Sequence, residues 1–164
     1  MRLIKAATIQ IHEFAGIDDA PPFAILSHTW GEEDVDNVGD LERSRWFTRG
    51  WTLQELLAPK EVIYYSTKWK LLGSKSDLLP TLSKITNISV KVLESGNFGE
   101  ISIAVRLSWA KERETTRIED VAYCLMGIVG VNMPLIYGER DRAFIRLQEE
   151  ILKTSDDNSL LGWG

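Results

Sequence analysis

The first group of residues with chemical potential follows an apolar run. Ser27-His28-Thr29-Trp30-Gly31 comes directly after Phe23-Ala24-Ile25-Leu26, and an unbroken apolar run ending at polar residues and a glycine has the pattern of a strand buried on both faces. Open α/β sheets hold their ligands at the carboxyl ends of such strands. There Ser27, His28, Thr29 and Trp30 would form a rim facing a nucleotide, with Trp30 or Trp51 stacking on its ring and Arg49 pairing a phosphate. The same turn also suits a structural plug, in which Ser27 caps and His28 is satisfied by backbone. A Ser27–His28 nucleophile pair is disfavoured, because adjacent residues leaving a strand point to opposite sides.

Other polar groups carry weaker signals. Glu32, Glu33, Asp34 and Asp36 lack the glycine-punctuated alternation and final glutamate of a calcium loop and read as a solvated turn. Cys124 lies in an apolar helical context and reads as buried and inert. Arg113, Glu114, Arg117, Glu119 and Asp120 read as an exposed capping and ion-pair network, or alternatively as a surface for self-association or a partner.

Composition narrows the class. With 164 residues and 44% hydrophobic content, the chain has the size of one ordinary domain with one core. A net charge of −5 argues against nucleic acid as the main partner, local clusters such as Arg43, Arg45 and Arg49 notwithstanding. One cysteine and two histidines form no internal disulfide and cannot by themselves supply a structural zinc set, so no metal site is expected, and the composition assigns no cofactor. No apolar run approaches the roughly 20 residues that cross a bilayer, and the start lacks a long apolar stretch of signal type. These features predict a soluble chain in a reducing, cytoplasmic compartment. The sequon Asn87-Ile88-Ser89 is given no weight outside a secreted chain.

The elements that must position these residues come from periodicity. Thr8 to Phe14 alternates as a half-buried strand, with Ile9 and Ile11 on one face, and Phe23 to Leu26 is expected as a central buried strand. Arg49 through Ala58 predicts a short helix stopped by Pro59, with Leu53, Leu56 and Leu57 on one face. Val62 to Tyr65 and Trp69 to Leu72 predict two strands or a hairpin. Helices follow: one after Ser76 with Leu78, Leu79, Leu82 and Ile85, and a second with Ile101, Val105 and Trp109 along one side. A third begins at a Thr116–Glu119 capping box and presents Ile118, Val121, Ala122, Leu125, Ile128 and Val129. The last starts after Gly138, buries Ala143, Phe144, Leu147 and Ile151, and frays into Thr154 to Ser159. The chain is thus read as one domain, strand-rich over 1–73, helical over 74–153, with a polar tail over 154–164.

Three long blocks carry a family resemblance: Pro22 to Gly31, Ser44 to Pro59 with its core Trp51-Thr52-Leu53-Gln54-Glu55-Leu56, and Arg113 to Ile128. Together with Asn132 to Glu139 and Ala143 to Glu150, they resemble the HET domain, the heterokaryon-incompatibility module of fungal cell-death proteins. That resemblance implies a signalling and effector role in self/non-self recognition and programmed cell death, with protein partners of the incompatibility pathway and self-association. A stretch typical of the family, carrying a Trp-Ile-Asp-Thr-Cys-Cys-Ile-Asp-like signature, is missing where Gly39-Asp40-Leu41 runs straight into Glu42-Arg43-Ser44.

The HET domain in turn resembles TIR domains, which implies an α/β class with a TIR-like, flavodoxin-like sheet, incomplete here because of the central gap, followed by a helical half. In enzymatic TIR domains the glutamate of a Trp-Cys-x-x-Glu-Leu helix cleaves the nicotinamide–ribose bond of NAD. Glu55 has that spacing, so the resemblance makes it the candidate catalytic carboxylate and NAD a possible substrate. Such cleavage passes through an oxocarbenium-like transition state that a carboxylate stabilises. A solvated glutamate on a helix that turns Leu53 and Leu56 inward is the competing reading, and an inactive shortened family member is a further one.

Overall fold

The computed structural model describes residues 2–5, 8, 10–16, 18–21, 23–27, 35–155, 157 and 159, with the backbone alone for 2–5. They form two small hairpins and a series of short helices. Strand β1 (Arg2–Lys5) pairs antiparallel with β2 (Gln10–Glu13), and β3 (Ile63–Tyr65) pairs antiparallel with β4 (Leu71–Ser74). The helices are α1 (Thr52–Leu57), α2 (Leu79–Thr86), α3 (Val90–Ser95), α4 (Ile103–Ser108), α5 (Asp120–Tyr123), α6 (Met126–Val129) and α7 (Arg142–Thr154), preceded by 3-10 turns at Val38–Arg43 and Arg45–Thr48. The protein is therefore mixed α and β, and both sheets of the described residues are two-stranded and antiparallel.

The largest departure from the sequence pattern is at Phe23 to Leu26. This run has no regular secondary structure and is exposed, Ile25 at 77% and Leu26 at 71%. A strand buried on both faces needs a neighbour along each edge and cover on both sides, whereas the chain from Val38 to Thr48 winds into 3-10 turns. The β1–β2 hairpin contains the expected alternating strand, but Ile11 is exposed, and Ile9 lies outside the described residues.

Helix α1 follows its pattern, with Leu53, Leu56 and Leu57 buried and Pro59 just beyond its end. The β3–β4 hairpin lies where the aromatic and β-branched residues place it. Helix α2 starts with Pro80 in its first turn and ends at Asn87, whose φ of 57° supplies the left-handed cap. Ser89 of the sequon then accepts the Val92 backbone N–H at 3.4 Å and caps α3, a helix the periodicity did not separate from its neighbours. In α4 the buried residues are Ile103 and Leu107; of the side expected to face inward, Trp109 is buried and Ile101 packs half-buried against the core, while Val105 is exposed.

The segment after Thr116 also corrects its sequence pattern. Its helix begins at Asp120 and breaks at Cys124 and Leu125 into α5 and α6. Glu119 does not close a capping box with Thr116. Its side chain is buried and accepts the backbone N–H groups of Gly138 at 2.7 Å and Arg140 at 3.1 Å. With the carboxylate drawn inward, Ile118 and Val121 are left exposed, while Ala122, Leu125, Ile128 and Val129 fill the core. Helix α7 buries Ala143, Leu147 and Ile151 as its spacing requires, Phe144 packing half-buried beside them. Beyond α7, Asp157 accepts the Ile103 N–H at 2.7 Å and Ser159 that of Ala104 at 3.1 Å. Parts of the tail expected to fray thus satisfy the open N–H groups at the start of α4.

Candidate functional site

Helix α1 is fixed by its polar residues as well as its leucines. The Thr52 hydroxyl lies against the carbonyls of Trp46 and Arg49 and accepts Arg113 Nη1 at 2.9 Å. Gln54 Nε2 donates to the Cys124 carbonyl at 2.6 Å. Since Leu53, Leu56 and Leu57 are buried, Glu55 is held half-buried between these anchors. Its Oε2 accepts the hydroxyl of Ser27, and Ser27 Oγ in turn accepts the indole N–H of Trp46 at 2.6 Å. The Trp46 ring packs edge-on against Phe47 and Tyr64.

A second polar group lies behind α1. Arg113 donates to the carbonyls of Trp109 at 3.3 Å and Arg49 at 2.9 Å. Burial pulls its guanidinium down to about 10, countered by the thiol of Cys124 and the phenol of Tyr64, so it is cationic at neutral pH. The charge cluster at 113–120 is therefore partly structural, with Arg113 and Glu119 serving backbone atoms rather than solvent. Burial pushes the Cys124 thiol up to about 11, with Asp120 adding to the effect, and a thiol in that state is a poor nucleophile at neutral pH. Burial likewise raises the Tyr64 phenol, whose hydroxyl has no hydrogen-bond partner among the described residues. A cavity of about 260 Å³ beside this group is lined by Gly50, Leu107, Arg113, Val121, Cys124 and Phe144 among others. Neither Ser27 nor Glu55 is in its wall.

Of the residues singled out by sequence, the structure brings Ser27 and Glu55 together. Arg49 is exposed and lies opposite Glu114 in a short parallel backbone pairing, in which the Glu114 N–H donates to the Thr48 carbonyl and the Gly50 N–H to the Glu114 carbonyl, and Trp51 is half-buried at the start of α1. His28, Thr29 and Trp30 lie outside the described residues, as do Glu32, Glu33 and Asp34; Asp36 pairs with Lys68 at 3.0 Å. Among the described residues no group of His, Cys, Asp and Glu could hold a metal ion, and no helix is long and apolar enough to cross a membrane. Sequence reasoning missed Trp46. It stands within a recognised block, but no periodicity ties it to Ser27, nineteen positions earlier.

Comparison with known proteins gives a direct relative. Over 121 residues, 73% of this chain, the sequence is 42% identical to the vegetative incompatibility protein HET-E-1 of Podospora anserina. This chain is similar to one segment of a fungal incompatibility protein. The matched segment is 9% of the length of HET-E-1. Such identity supports a fungal, incompatibility-related family. No family model matches the chain, and no solved structure matches it.

Proposed function

We propose that this chain is a signalling and effector module of fungal heterokaryon incompatibility, and that its effector chemistry is cleavage of the nicotinamide–ribose bond of NAD by Glu55. The similarity to HET-E-1 supports the first part. The hydrogen bond from Ser27 to Glu55 supports the second: the residue at the end of the apolar run and the carboxylate of α1, far apart in sequence, meet at one place.

The chemistry asks for little more than a held carboxylate. Water adds its oxygen to the anomeric carbon and releases one proton as the carbon–nitrogen bond breaks. The bonding pair leaves with the pyridine nitrogen and cancels its positive charge. Nicotinamide departs neutral, so no acid is required, and one anion facing the developing oxocarbenium charge serves where ordinary glycoside hydrolysis needs two carboxyl groups. His28, Thr29, Trp30, Arg49 and Trp51 are proposed to hold the ring and phosphates of the nucleotide. Protein partners of the incompatibility pathway and self-association belong to the same proposal.

Expression of the chain in a host cell tests this reading. It predicts loss of viability with the chain and survival with a well-folded Glu55→Gln variant; equal killing by both would remove the catalytic role. A second reading, a weakened family member, is favoured by the exposed Phe23 to Leu26 run beside Ser27. It predicts that inserting a family-typical segment between Leu41 and Glu42 raises both the melting temperature and NAD turnover. Equal melting and turnover in the two proteins would show that segment to be dispensable.

A further inference from the structure

We infer that Trp46 is a positioning residue: its indole N–H fixes the direction of the hydrogen bond between Ser27 and Glu55, and this leaves the second oxygen of Glu55 for the substrate. The inference rests on the proposed role of Glu55 and adds to it a residue and a reason for the serine.

Donor and acceptor capacity sets the direction of these bonds. A serine hydroxyl has one hydrogen and two lone pairs, so alone it can donate or accept in several directions. An indole N–H can only donate. Trp46 Nε1 stands 2.6 Å from Ser27 Oγ, so the serine oxygen must accept there, and its single hydrogen is free for another partner. That partner is Glu55 Oε2, which accepts it. The chain therefore has one polarity, from indole through hydroxyl to carboxylate. A hydrogen bond donated to an anion strengthens when its donor is itself polarised by a further donor.

Trp46 is well built for this task. Its ring is wedged edge-on against Phe47 and Tyr64, with centroids 5.0 Å and 5.9 Å away, and Phe47 and Tyr64 are both buried. Its own carbonyl is met by the Thr52 hydroxyl in the first turn of α1. Backbone and ring are both fixed, which leaves the indole N–H little freedom to leave Ser27. One oxygen of Glu55 is thus committed to the serine, and the other remains for a ribose hydroxyl or the developing charge at the anomeric carbon. Holding a carboxylate in one orientation lowers the cost of reaching the transition state without changing how tightly the ground state binds.

Two readouts test it. In the ¹⁵N-labelled chain, the Trp46 indole cross-peak is identified among the six tryptophans by its loss in Trp46→Phe. Ser27→Ala should move that peak upfield and speed its exchange with solvent, and Ser27→Thr should leave it near its original place. In nicotinamide release from NAD, Trp46→Phe and Ser27→Ala should each lower kcat about tenfold with little change in KM, on the scale of one hydrogen bond, and Ser27→Thr should recover most of the rate. An indole peak that ignores Ser27→Ala overturns the inference, whatever the rates. A peak that moves while kcat stays at the level of the unaltered chain also overturns it, leaving the role of Glu55 intact. Absence of nicotinamide release from the unaltered chain removes the role of Glu55 itself and this inference with it, an outcome distinguished by being independent of any substitution.

Discussion

Gln54 on α1 donates its side-chain amide to the carbonyl of Cys124, 70 positions later in the sequence, at 2.6 Å. The acceptor lies where α5 gives way to α6, at a break in the helix that frees a carbonyl from intrahelical bonding. The helix that carries Glu55 is in this way tied to the helical half of the chain, and disturbance of that contact should be felt at Glu55.

Gly50, just before α1, makes the same junction tight. Its N–H donates to the Glu114 carbonyl at 2.9 Å, and a Cβ there would lie 2.5 Å from Thr115 Cγ2 and 3.0 Å from Cys124 Sγ. Gly50→Ala should therefore cost about 1–3 kcal/mol through overpacking and lower NAD turnover by shifting α1. An unchanged urea midpoint would show that Thr115 and Cys124 move aside freely.

Leu125 is 3% exposed, in the core between α5 and α6. Leu125→Ala is expected to lower unfolding free energy by about 2–5 kcal/mol, and chemical denaturation monitored by circular dichroism measures it. An effect near zero would place the core elsewhere.

The helical part of this fold was more legible in sequence than the sheet, for a physical reason. The spacing of Ala143, Leu147 and Ile151, and of Leu53, Leu56 and Leu57, encodes a face that local geometry alone can realise. A buried strand depends on neighbours that the sequence of Phe23 to Leu26 does not contain, so its apolar run gave the wrong environment. Glu119 misled in the opposite sense: its spacing from Thr116 suits a local cap, but the N–H groups of Gly138 and Arg140 compete for it from about twenty residues away. At the candidate site, Glu55 was reached through family resemblance and Ser27 through the end of the apolar run that precedes it. Trp46 was not, because its function lies in a tertiary hydrogen bond that no periodicity records.

Glu119 also makes stability depend on pH. The backbone N–H groups of Glu119 itself, Gly138 and Arg140 hold its carboxyl below the ordinary value of 4.5. A carboxyl lowered by folding contributes stability that is fully present above its unfolded pKa and is lost as pH falls through the folded one. The melting temperature of Glu119→Gln should thus fall well below that of the unaltered chain near neutral pH, and the gap should narrow steadily below about pH 4.5. A gap independent of pH would mean that the charge of Glu119 contributes nothing.

The central claim is that Glu55 cleaves NAD, and release of nicotinamide by the purified chain tests it most directly. The account predicts slow but measurable release that falls by orders of magnitude in kcat in Glu55→Gln, with circular dichroism spectrum and melting temperature retained. Release by the unaltered chain no faster than by Glu55→Gln, with both proteins folded, would contradict it.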